Sequence, residues 1–104
     1  MYSTKVIWIT GASSGIGKAM ALHYNQLGAF VILSARKVDT LEKVQSEHKH
    51  PDKSFVQVLD LEKSYEFVEI TNSLTEKFSK IDILVNNGGI SQRGNAYETP
   101  LEVD

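Results

Sequence analysis

The sequence predicts an α/β fold in which a parallel sheet is wound on both faces by helices. Three observations predict it. Apolar runs of strand length recur at Lys5–Thr10, Phe30–Ser34, Ser54–Leu59 and Ile81–Val85, with stretches of helical periodicity between them. The first strand passes into its helix through a turn carrying Gly11, Gly15 and Gly17. The connections are short, so the β-α-β-α-β-α-β alternation calls for right-handed crossovers in a single parallel sheet.

Taken in order, the first run is continuously apolar and ends at glycine, as a strand buried on both faces should be. Ile16, Ala19, Met20, His23 and Leu27 then fall at helical spacing, which assigns them to the inward side, with Gly28 as the C-cap. His23 on that side is expected to be a packed core residue rather than a ligand. After the second strand, Asp39 with Glu42 three residues on resembles a capping box, and Leu41 and Val44 begin the apolar side of a second helix. That helix should stop before Pro51. Phe67, Ile70, Leu74 and Phe78 form a stripe on a third helix over Ser64–Ser79. Thr99, Pro100 and Glu102 carry the cap, first-turn proline and acid of one more helix start.

Composition removes several function classes. The 104 residues make one domain with a modest core, 41% hydrophobic and 23% charged. A formal net charge of −2 gives no reason to expect nucleic acid or an anionic membrane as partner. With 0 cysteines, disulfide, thiolate and zinc–sulfur chemistry are excluded. No apolar run is long enough to span a bilayer, and the N-terminus runs straight into a strand without room for a signal peptide. The expectation is a cytoplasmic protein. His48 and His50 flank the end of a polar helix without the partners that a metal would need, and Trp8 and Tyr65 read as packing residues.

The chemistry lies in the first turn. A helix N-terminus presents backbone N–H groups without intrahelical partners and roughly half a positive charge, so a diphosphate satisfies both deficits. Gly11 permits the tight exit from the strand, Gly15 lets backbone approach a ligand, and Gly17 lets the helix lie close on the strand. A strand before, a helix after and a second strand beyond complete the βαβ context that a nucleotide site requires.

The spacing Thr10-Gly11-x-x-x-Gly15-x-Gly17 resembles the T-G-x-x-x-G-x-G turn of the short-chain dehydrogenase/reductase family. Asp60-Leu61 after the third strand and Asn86-Asn87-Gly88-Gly89 after the fourth match that family in order. Gly88 stands where its N-N-A-G motif has alanine, and the run from Asn86 to Arg93 looks most like the N-N-G-G branch of membrane-associated dehydrogenase/reductases. The resemblance covers the whole chain. It implies a Rossmann-type doubly wound sheet, truncated to about four strands in the order 3-2-1-4. Residues 1–104 would form the dinucleotide-binding N-terminal half, with the catalytic Asn, Ser and Tyr-x-x-x-Lys lying beyond Asp104. It further implies that Gly11, Ser13, Ser14 and Ile16 line the phosphates, the last through its backbone N–H. Asp60 would accept from the adenine amino group, Leu61 would lie against the ring, and Asn86 and Gly88 would flank the adenosine ribose.

The second strand's end selects the coenzyme. NAD-binding sites place an acid there, about 20 residues past the glycines, for the ribose hydroxyls. Here that position is Ala35 and the next is Arg36, whose guanidinium suits a 2′-phosphate. The expected coenzyme is therefore NADP(H). The implied activity is hydride transfer between a small alcohol and a carbonyl, with an inactive nucleotide-binding or scaffold module as the alternative. Ile83, Leu84 and Val85 would form an uncovered apolar edge, which invites pairing with another chain and a homo-oligomer.

Overall fold

The computed structural model describes residues 4–13, 15–60, 63–87 and 98–100. Five strands form one sheet: β1 (Val6–Thr10), β2 (Phe30–Ser34), β3 (Ser54–Val56), β4 (Ile83–Asn86) and β5 (Glu98–Pro100), in the order β3-β2-β1-β4-β5. Helices α1 (Gly15–Gln26), α2 (Val38–Ser46) and α3 (Ser64–Phe78) supply the crossovers. The first four strands are parallel and stand as the sequence predicts, in the order 3-2-1-4 of a Rossmann-type fold.

Strand alternation divides the core between the two faces of the sheet. Ile7, Ile9, Val31, Leu33 and Val85 pack with Ala21 and Tyr24 of α1 and Leu41 and Val44 of α2. Trp8, Ile32 and Leu84 pack on the other face with Leu74 of α3, and Phe67, Ile70 and Phe78 of the predicted stripe lie against them. Trp8 stacks on Phe67 at 5.2 Å between ring centroids and 9° between planes. Both ends of α1 are governed by glycine. At its C-terminus Gly28 takes φ +97°, its N–H bonds the Asn25 carbonyl at 2.9 Å, and the Ala29 N–H bonds that of Tyr24 at 3.1 Å. This is the paired closure of a Schellman motif.

Four local expectations need correction. Helix α1 turns Gly17, Ala21, Tyr24 and Asn25 inward, while Ile16 is 53% exposed, Leu27 is 45% exposed, and Ala19 and His23 are exposed. Of the residues predicted to face inward, Met20 does pack against the core. Hydrophobicity misplaces the others because the residues at the start of the inward face, Gly17 and Ala21, are the small ones that this turn's close approach demands. No capping box forms: α2 starts at Val38 with Lys37 as N-cap and no side-chain cap bond. Asp39 lies inside the first turn, where its charge still complements the helix dipole. Thr99 and Pro100 belong to a strand and not to a helix. The apolar edge is not left open, since β5 pairs antiparallel with β4, Pro100 opposite Ile83 and Glu98 opposite Val85. Open ladder groups on β4 outweigh one turn of helix, and an edge strand tolerates the missing proline N–H.

Candidate functional site

The carboxyl ends of β1 to β4 form one rim, because parallel strands in register finish together. Thr10 is opposite Ser34 of β2 on one side and Asn86 of β4 on the other. Beyond β3, the Gln57 N–H bonds Leu33 and the Leu59 N–H bonds Ala35, each at 2.9 Å, so pairing with β2 carries the chain on to Asp60. The glycine turn, Arg36, Asp60 and Asn86 therefore share this rim, three crossovers apart in sequence.

Within the turn the glycines divide the work. Gly11 and Gly15 have φ of +64° and +60°, the left-handed region that side chains resist. Among the described residues a Cβ at Gly15 would meet nothing within 4 Å, so the space over it is open with respect to them and conformation is what selects glycine there. Gly17 answers to packing. A Cβ there would sit 2.1 Å from the Gly11 carbonyl oxygen and 2.8 Å from Asn87 Nδ2. Ser13 is half-buried. Ile16 turns its side chain to solvent at the first turn of α1.

Side chains at the end of β4 and just after it hold the turn in place. The Thr10 hydroxyl donates to Asn86 Oδ1 at 3.0 Å, and Asn87 Nδ2 donates to the Gly11 carbonyl at 3.2 Å. Across the turn, the Ala12 N–H bonds the Ser34 carbonyl at 3.0 Å. Asn87, the second residue of the N-N doublet after the fourth strand, is thus a support of the glycine turn through a bond to its backbone. Arg36 is exposed, and its guanidinium has no hydrogen-bond or ion-pair partner among the described residues. Asp60 is half-buried, and its N–H donates to Glu66 Oε1 at 3.3 Å. Ser14, Leu61 and Gly88, the remaining candidates, lie outside the described residues.

The rim offers a helix N-terminus beneath open space and an uncommitted cation one strand away. A helix N-terminus of this kind can receive an anion such as a diphosphate. No group of three or more His, Cys, Asp or Glu side chains suited to a metal occurs among the described residues. No helix among them is long and apolar enough to cross a membrane.

Comparison with known proteins agrees with this geometry. The family model of the short chain dehydrogenases matches residues 5–103. Dehydrogenase/reductase SDR family member 7 of Mus musculus is 43% identical over 104 residues, covering 94% of this chain and 30% of that protein. The chain thus spans about a third of such a relative. A short chain dehydrogenase from Bacillus anthracis superposes with a TM-score of 0.78 at 34% identity, covering 85% of this chain and 36% of the other. A metagenomic short-chain oxidoreductase in complex with NADP does so at 0.71 and 30% identity, over 78% of this chain and 37% of its own. The 3-ketoacyl-(acyl-carrier-protein) reductase of Brucella melitensis, complexed with NADH, does so at 0.68 and 34%, over 77% and 32%. The glycine turn on a parallel rim, the supporting asparagines and these likenesses together place the chain in the short-chain dehydrogenase family, whose members are oxidoreductases that bind a nicotinamide coenzyme.

Proposed function

We propose that this chain supplies the coenzyme-binding part of an NADP(H)-dependent oxidoreductase that interconverts an alcohol and a carbonyl. The observation that carries the choice of coenzyme is Arg36. It follows a strand end without an acid, at Ala35, and it is exposed and unpaired among the described residues. A carboxylate there would repel a 2′-phosphate, whereas a guanidinium binds it by charge-assisted, often bidentate hydrogen bonds. The residues present fit the diphosphate as well, since open space lies over Gly15 at the start of α1.

In this reading Gly11, Ser13, Gly15 and the Ile16 N–H hold the diphosphate, and Ser14 belongs to the same cradle. Gly17 keeps that cradle on β1. Arg36 holds the 2′-phosphate, Asp60 and Leu61 the adenine, and Asn86 and Gly88 the adenosine ribose. The bound coenzyme supplies the hydride; the chain's own contribution is to bind and orient it.

Titration with NADP⁺ and NAD⁺, in the wild type and in Arg36→Ala, tests the assignment. The variant should lose about 1.5–3 kcal/mol of NADP⁺ affinity, the range for hydrogen bonds to charged groups. Unchanged NADP⁺ affinity would overturn it.

A further inference from the structure

Ser34 links the glycine turn to the strand end that leads to Arg36. It is the last residue of β2, fully buried, and two residues before Arg36. Its carbonyl accepts the Ala12 N–H of the glycine turn at 3.0 Å. Its hydroxyl oxygen accepts the indole N–H of Trp8, also fully buried, at 2.8 Å. Trp8 is fixed in turn by its stack on Phe67 of α3. An indole N–H in a core needs an acceptor, and apolar strands offer few. A strand residue whose only task were packing would not carry this requirement.

We propose that Trp8 and Ser34 are positioning residues for coenzyme selectivity: the indole–hydroxyl bond sets the distance between the diphosphate cradle and Arg36. A ligand with a 2′-phosphate is held at both points at once, so it gains only if their separation matches its own. A ligand without that phosphate makes no use of Arg36 and is indifferent to where it stands. Loosening Ser34 therefore costs NADP⁺ and spares NAD⁺. The inference rests on the NADP(H) reading of Arg36.

The test is the ratio of NAD⁺ to NADP⁺ dissociation constants in the full chain, for the wild type, Trp8→Phe, Ser34→Ala, the double variant and Arg36→Ala. Trp8→Phe keeps an aromatic ring against Phe67 and removes the donor. It should lower the ratio about five-fold, and Ser34→Ala should do the same. The double variant should be no worse than either alone, because both delete one bond. A purely structural role would weaken both coenzymes equally and leave the ratio unmoved, which would overturn the proposal. If Arg36→Ala also leaves the ratio unmoved, the NADP(H) reading itself has failed. If Arg36→Ala moves it and the other variants do not, only the positioning role has. Ser34→Ala keeps the question open to refutation if Trp8→Phe fails to fold.

Discussion

The two faces of the sheet are built from different materials. Against α1 and α2 the packing is mainly aliphatic apart from Tyr24, with the small residues Ala12, Ala21, Ala29, Val31, Val44 and Val85 among those buried. Against α3 it is aromatic: Trp8 stacks on Phe67, and Phe78 lies between Phe30 and Phe55 at 5.0 and 5.4 Å. The difference follows from what each helix has to do. Helix α1 must bring its N-terminus up to the strand end, so small side chains let the backbones approach. Helix α3 carries no such constraint, and large rings can fill a wider gap. One face is built for proximity and the other for volume.

Substitutions that swap the materials should break this contrast. Trp8→Ala, on the aromatic face, should cost about 3–5 kcal/mol in denaturant unfolding, the range for deleting a large buried aromatic. Gly17→Ala, on the close face, should cost about 2–3 kcal/mol despite alanine's better helix propensity, because the atom in its way is the Gly11 backbone oxygen. The same change should also weaken coenzyme binding, by pushing α1 off the strand. Trp8→Ala should leave a far larger share of that affinity in whatever fraction remains folded.

Asn25 sharpens the comparison from the close face. It is fully buried, accepts the His50 N–H at 2.8 Å and donates to the His50 carbonyl at 2.9 Å. Asn25→Ala should cost about 1–3 kcal/mol by leaving those backbone groups unpaired, with little effect on coenzyme affinity. Equal losses of affinity in Asn25→Ala and Gly17→Ala would show that the two ends of α1 do not act separately.

The smallest effect concerns pH. Burial holds the His48 imidazole below its ordinary pKa, and its Nδ1 bond to the Val44 carbonyl at 2.8 Å and nearby Glu47 offset this only in part. Its buried Nε2 has no partner among the described residues. The unfolded chain therefore takes up this proton at a higher pH than the folded one, and stability should fall as pH drops below about 6.5. His48→Gln should flatten that decline. Asp82 acts in a separate, lower window. Burial works to raise its pKa but is outweighed by the Val6 N–H at 2.7 Å, the Lys80 ammonium and Lys5, so the net shift is downward. Its contribution is present above the ordinary carboxylate range and is lost as pH falls through the lowered value.

Much of the fold was legible in sequence because its signals are local. Strand-length apolar runs, the φ demands of Gly11, Gly15 and Gly28, and the stripe on α3 each depend on a few neighbouring residues. The order of the parallel strands was legible too, through the spacing of the family's motifs. The face of α1 was not. Periodicity reports where apolar side chains lie, but α1 is oriented by where a side chain is absent, at Gly17. The fate of residues 98–100 was decided by β4, whose free edge precedes them in the chain but lies beyond the reach of a local capping signal.

By itself, then, the sequence determined the β-α alternation, the parallel sheet and the glycine turn after β1, since backbone conformation and short-range hydrophobic pattern suffice for those. Only the tertiary structure decided that Asn87 braces Gly11, that Trp8 reaches Ser34, and that the cradle and Arg36 share one rim. Those contacts join residues separated by up to 76 positions, and they form because strands far apart in the chain come into register side by side.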